Sequence, residues 1–204
     1  MKNGRIIIAG TGRAGTTLLM QVFTKLGLDT GFSEKDFSSE IDSISFGGLE
    51  KYPQIESLEK LPRVVKSPWF FEIADDFLAK ASDTIEYVLI PIRNLNCAAQ
   101  SRIRIQRIFE TRLGGLKSKG NRFRGGLAGT DSEQEQEVVL GRQITSLIIS
   151  LSESNVPFKF VVFPKFAQDP DYLYEIIKFL IPDTSFEEFH RIFQELVDLS
   201  KIHF

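Results

Sequence analysis

A single cysteine, Cys97, stands in the 204 residues, alongside two histidines, two methionines and one tryptophan. One thiol excludes an internal disulfide framework and fits a reducing compartment. Cys97, His190 and His203 cannot form a metal site of ordinary ligand spacing. Long apolar runs are missing too. The first run, Ile6 to Ala9, is too short for a signal peptide, and no segment is long enough to span a bilayer. A surplus of positive charge is also absent: the net charge is −2. That balance argues against a protein whose whole surface binds nucleic acid. The expectation is a cytoplasmic enzyme with neither membrane nor nucleic-acid partners.

What the chain has in quantity is phenylalanine, 18 residues, many in the second half, within an apolar content of 42 %. That is enough to fill the core of one sizeable domain. The few surplus cations are gathered in one place. Nine basic residues lie between Arg93 and Arg124 (Arg93, Arg102, Arg104, Arg107, Arg112, Lys117, Lys119, Arg122 and Arg124) against one acid, Glu110. A basic block in an otherwise acidic chain points to a locally held anion.

Apolar periodicity orders the chain as strands separated by helices. Arg5–Ala9 is short and β-branched and runs straight into Gly10, as a buried strand does. Leu18, Leu19, Val22, Phe23 and Leu26 repeat at helical spacing before Gly27. Residues 29–62 are turn-rich, irregular apart from one short helix, and suited to a substrate wall. A second strand is expected at 63–66, a helix at 70–81, and a third strand at 86–92. A long helix with a basic exposed side follows at 94–112, then a glycine-rich basic loop at 113–131. Ser132 and Glu135 have the spacing of a capping box for a helix running to about Ser154. A fourth strand at 158–163 is followed by a helix opening at Asp169-Pro170 and a last amphipathic helix from Ser185 to about Leu199. This alternation predicts one α/β domain over residues 1–204, a P-loop fold with a central parallel sheet of four to five strands flanked by helices.

The segment most specific for chemistry is Gly10 to Thr17, GTGRAGTT. A strand ending in Gly-x-x-x-x-Gly and opening a helix directs several backbone N–H groups, and the positive end of the helix, at one point. Thr16 and Thr17 add hydroxyl donors, and Arg13 adds a bidentate cation. The loop departs from that of nucleoside triphosphatases, in which lysine follows the second glycine. Here Thr16 follows Gly15, and the cation has moved into the loop as Arg13. A triphosphate with magnesium is disfavoured as the ligand.

Arg13-Ala14-Gly15-Thr16-Thr17-Leu18-Leu19 resembles the 5′-phosphosulfate loop of sulfotransferases that use 3′-phosphoadenosine 5′-phosphosulfate (PAPS), with Ala14 where serine is commoner. The family also has an arginine ending the third strand and a serine eight residues later, which bind the 3′-phosphate; Arg93 and Ser101 match. Val161 to Asp169-Pro170, followed by a helix ending in Phe179-Leu180, resembles a third family segment, although Phe163-Pro164 replaces Tyr-Glu. The resemblance covers most of the chain from Ile6 to about Leu180, least between Gly31 and Pro62. It implies transfer of a sulfuryl group from PAPS to a hydroxyl or amine of a small molecule or carbohydrate, without a metal, leaving 3′,5′-adenosine bisphosphate. It implies that Gly12, Arg13, Ala14, Gly15, Thr16 and Thr17 hold the phosphosulfate, and that Arg93 and Ser101 hold the 3′-phosphate. Arg13 would steady the leaving oxygen. Cytosolic members carry a Lys-Thr-His segment after the second strand. Here Lys66-Ser67-Pro68 stands there, so the histidine is missing and Lys66 is left to touch the sulfuryl group or the leaving oxygen, or merely to end its strand. Some bacterial members use a glutamate just beyond the first helix; Glu34 occupies that place and is the expected base, with Asp36 its neighbour. The basic loop resembles one that closes over the nucleotide, through Lys117, Lys119 and Arg122. Two other readings stay open: a P-loop kinase of a small metabolite using Mg-ATP, and a catalytically silent nucleotide-binding protein.

Overall fold

A computed structural model describes residues 4–112 and 123–199. Four strands, β1 (Arg5–Ala9), β2 (Val64–Ser67), β3 (Ile85–Ile92) and β4 (Phe158–Val162), form one parallel sheet in the order β2-β1-β3-β4. Register sets Ile7 beside Val65 on one side and Val88 on the other, and Ile90 beside Phe160. The helices between and after the strands are α1 (Thr16–Lys25), α2 (Phe37–Glu40), α3 (Ala74–Ala81), α4 (Leu95–Arg112), α5 (Gln136–Glu153), α6 (Lys165–Gln168), α7 (Pro170–Ile177) and α8 (Phe186–Leu196).

The period of two along β1 divides the core into layers. Ile6 and Ile8 face a cluster that includes Leu19 and Phe23 of α1, Leu173 of α7 and Phe189 of α8. Ile7 and Ala9 face the opposite cluster, with Phe77 and Leu78 of α3 and Leu147 and Leu151 of α5. Phe23, Phe70, Phe77, Phe166 and Phe189 are fully enclosed, and burial of each contributes about 1.5–3 kcal/mol. The phenylalanine surplus thus fills both layers, although Phe160 and Phe179 remain exposed.

Several boundaries differ from the sequence pattern. The helix expected at 70–81 is a 3₁₀ turn, Phe70–Glu72, followed by α3. The irregular stretch 29–62 holds α2 and two 3₁₀ segments, Glu34–Asp36 and Ile55–Lys60. Ser132 is not a helix cap. Its hydroxyl meets Gln134, and α5 starts at Gln136 with no side-chain cap. The buried amide of Gln136 exchanges two 2.8 Å hydrogen bonds with the backbone of Ala128. That tertiary anchor fixes the start in place of the local motif. The last helix ends at Leu196, three residues early.

The strand order reverses between β1 and β3, so the crevice at their carboxyl ends is the expected ligand site of such a sheet. Gly10 follows β1, Arg93 follows β3, Lys66 lies at the end of β2 and Phe163 follows β4.

Candidate functional site

The connection from β1 to α1 is a chain of left-handed residues: Gly12 (φ 68°), Arg13 (φ 59°) and Gly15 (φ 79°). Gly15 is required for space as well as conformation. A Cβ there would lie 2.5 Å from the Phe166 ring and 2.7 Å from the Phe163 ring. Arg13 is the exception, a residue with a Cβ held where glycine is normally found, at about 1–3 kcal/mol of strain. Tertiary contacts hold it: Nε donates to Ser101 Oγ at 3.0 Å, and Nη1 donates to the Ser45 carbonyl. Thr16 and Thr17 open α1 with buried side chains and no acid in the first turn, so the positive helix end is uncompensated there.

Four more cations surround this point. Arg93 donates to the Arg13 carbonyl at 3.3 Å and lies over the Phe163 ring, 5.4 Å from its centroid. Arg102 is buried; it donates to the carbonyls of Thr11 and, at 2.6 Å, Gly126, while its enclosed Nε has no hydrogen-bond partner among the described residues. Arg124 donates to the Glu40 carbonyl at 3.0 Å. Lys66 is 1 % exposed; its Nζ donates to Thr17 Oγ1 (2.8 Å), the Gly48 carbonyl (2.5 Å) and Glu50 Oε1 (2.9 Å). A backbone bond from Lys51 N to Lys66 O, 3.0 Å, lays the 48–51 segment along β2 and so brings the Glu50 carboxylate to the lysine.

Burial dominates the electrostatics. It lowers the Arg13 pKa to about 10, helped by neighbouring Arg93 and opposed by Asp42. It lowers Arg102 to about 10, with Arg13 adding to the effect. Both remain charged at neutral pH. Burial also lowers Lys66, to about 8, against the opposing pull of Glu50. Arg93 is lowered by burial as well. Among the described residues, the partners of Arg13 and Arg102 are a hydroxyl and backbone carbonyls, with no carboxylate at ion-pair distance. Carbonyl dipoles lessen a buried charge without neutralising it, and an anion is the partner that completes such a site.

These groups line one cavity of about 460 Å³, within the range of small-molecule and cofactor sites. Of the residues singled out in the sequence, Gly12, Arg13, Gly15, Thr16, Thr17, Lys66, Arg93 and Ser101 border it. Ala14 does not; it is fully buried in the core behind the loop. Glu34 does not either. It lies on the outer side of the 3₁₀ turn, 60 % exposed, and pairs at 3.4 Å with Lys25, which also holds Glu195. Asp36 caps that turn, accepting from the Ser33 backbone N–H and hydroxyl. Glu50, unlike Glu34, borders the cavity, and it meets Thr17 of the loop through Lys66. Lys117, Lys119 and Arg122 lie outside the described residues.

No family model, curated protein or solved structure matches the chain. The site therefore stands on its own geometry. Arg102, Arg124 and Glu50 escaped the sequence reading. Arg102 lay within the basic block, next to Ser101, and burial alone sets it apart from Arg104 and Arg107, which are exposed. Glu50 carried no local signal, because its place depends on a backbone bond to a strand reached 16 residues later.

Proposed function

We propose that the protein transfers a sulfuryl group from PAPS to a hydroxyl or amine of an acceptor, in the cytoplasm. One observation carries the reading: among the described residues, half-buried Arg13 and buried Arg102 have no carboxylate at ion-pair distance, and they stand with Arg93 and Ser101 around the N-terminus of α1. In the same pocket Lys66 already occupies the Thr17 hydroxyl with an ammonium. In triphosphatase loops the hydroxyl at this position binds magnesium, so the arrangement favours a donor handled by fixed cations over Mg-ATP.

The donor, when bound, supplies an activated sulfuryl group joined to phosphate. The loop N–H groups, Thr16, Thr17 and Arg13 bind and orient its phosphosulfate end, and Arg93, Ser101 and Arg102 take the second phosphate. Preorganised cations stabilise negative charge as it develops on the departing oxygen. Lys66, adjoining Thr17, is positioned to share that charge. The role expected of Glu34 falls to Glu50. Its carboxylate borders the cavity and would accept the acceptor's proton.

Calorimetry separates the readings. The expected result is binding of 3′,5′-adenosine bisphosphate without magnesium, tighter than binding of Mg-ATP. Tight Mg-ATP binding with no response to the bisphosphate overturns the proposal in favour of a kinase. Bisphosphate binding without turnover across a broad acceptor screen would leave a silent nucleotide-binding protein.

A further inference from the structure

The two ends of the cavity differ chemically. The anion end is built on the phosphate loop. Beyond it, Thr17 and Gln21 lie about one turn apart on α1, with Leu18 beside them, and the cavity follows this face. Across from α1 stand Phe37, at the start of α2, and Ile41, which ends it. Leu196 and Val197, where α8 stops, complete the wall. All five apolar side chains are half-buried. The polar groups that line the cavity from these same segments are Gln21, Ser38, Asp42, Ser43 and Asp198. Asp42 accepts from the backbone N–H groups of Ile44 and Ser45, and Asp198 is exposed. Glu50 and Lys66, beside Thr17, stand between the two ends.

We infer that the apolar end seats a small uncharged alcohol or phenol against Leu18, Phe37, Ile41 and Val197, and that carbohydrate is not the acceptor. A sugar presents hydroxyls around its ring, and each one turned to this wall loses its water without gaining a partner. An apolar body gains from the same desolvation. The name of acceptor rests on the sulfuryl-transfer reading; the apolar seat is a property of the cavity itself.

The test titrates 2-naphthol and methyl glucoside into the full chain, with and without saturating 3′,5′-adenosine bisphosphate. Naphthol is expected to bind and methyl glucoside to give no saturable heat. Ile41→Asn should weaken naphthol about tenfold, the loss expected for one apolar contact. Gln21→Leu should tighten it. Bisphosphate affinity should be unchanged in both variants, which shows that they are folded. Methyl glucoside binding as tightly as naphthol, absence of naphthol binding, or naphthol affinity indifferent to both substitutions overturns the inference. Naphthol binding that responds to both substitutions in a protein that ignores the bisphosphate overturns the sulfotransferase reading and leaves the apolar seat standing.

Discussion

Lys66 brings together the opposing demands of this pocket. Its ammonium is enclosed, hydrogen-bonded by a hydroxyl, a carbonyl and a carboxylate, and its pKa is lowered by burial from 10.5 to about 8. Between those values the unfolded chain binds more protons at this residue than the folded one. The stability owed to Lys66 therefore rises with pH over that interval. Anion affinity moves the other way, because a neutral amine gives up its attraction. Bisphosphate affinity is expected to fall as pH passes 8, and Lys66→Met should bind weakly at pH 7 yet approach the wild-type protein by pH 9; titrations across that range check both. At Gly15, alanine would meet two phenylalanine rings in a left-handed backbone. Gly15→Ala should lower the unfolding free energy by about 3 kcal/mol, measured by urea denaturation. The carboxylates divide as well. Glu50→Gln should reduce turnover on the order of 10²-fold, while Glu34→Gln, altering an exposed pair with Lys25, should leave it unchanged in the same assay.

At the scale of elements, the site depends on where strands stop and helices begin. Asp169 shows how local such boundaries can be. Its carboxylate accepts the Tyr172 N–H at 2.9 Å and Pro170 fills the first position of α7. Asp169→Ala should therefore lower the unfolding free energy by about 1 kcal/mol, measured by urea denaturation, without altering anion binding. This helix reaches the sheet edge too: Tyr172 accepts the Val162 N–H of β4 at 3.1 Å, which blunts an edge strand whose Phe160 and Val162 are exposed. The segment Phe123–Gly126 docks differently. Phe123 stacks on Phe109 of α4 with centroids 4.7 Å apart, and Gly126 receives Arg102. Through Arg102 this segment, the phosphate loop and α4 share one buried guanidinium.

For the molecule as a whole, the sheet order gathers cations from the ends of three strands and from α4 into one crevice, although the chain is slightly acidic overall. Buried positive charge held by carbonyls alone, as at Arg102, opposes folding unless an anion offsets it. Ligand and stability are coupled as a consequence. Bisphosphate at a hundred times its dissociation constant should add about 2.7 kcal/mol, which raises the melting temperature by roughly 5–10 °C for a chain of this size. Differential scanning calorimetry with and without the nucleotide measures it. Among the described residues, no helix is long and apolar enough to cross a membrane.

The sequence by itself determined the layers and the loop. Short apolar runs rich in β-branched residues marked the strands, and apolar helical spacing marked α1, because burial is written residue by residue. GTGRAGTT marked the glycine-bearing turn onto α1 and most of the side chains that line the cavity there, because they are neighbours in the chain. The tertiary structure decided what depends on distant partners. It enclosed Arg102 while its neighbours Arg104 and Arg107 stayed in solvent, set Glu50 against Lys66, and left Glu34 outside. It also moved the start of α5 from Ser132 to Gln136 through a bond to Ala128. Desolvation and long-range hydrogen bonding select such residues, and neither has a period or a spacing that one strand of text can show.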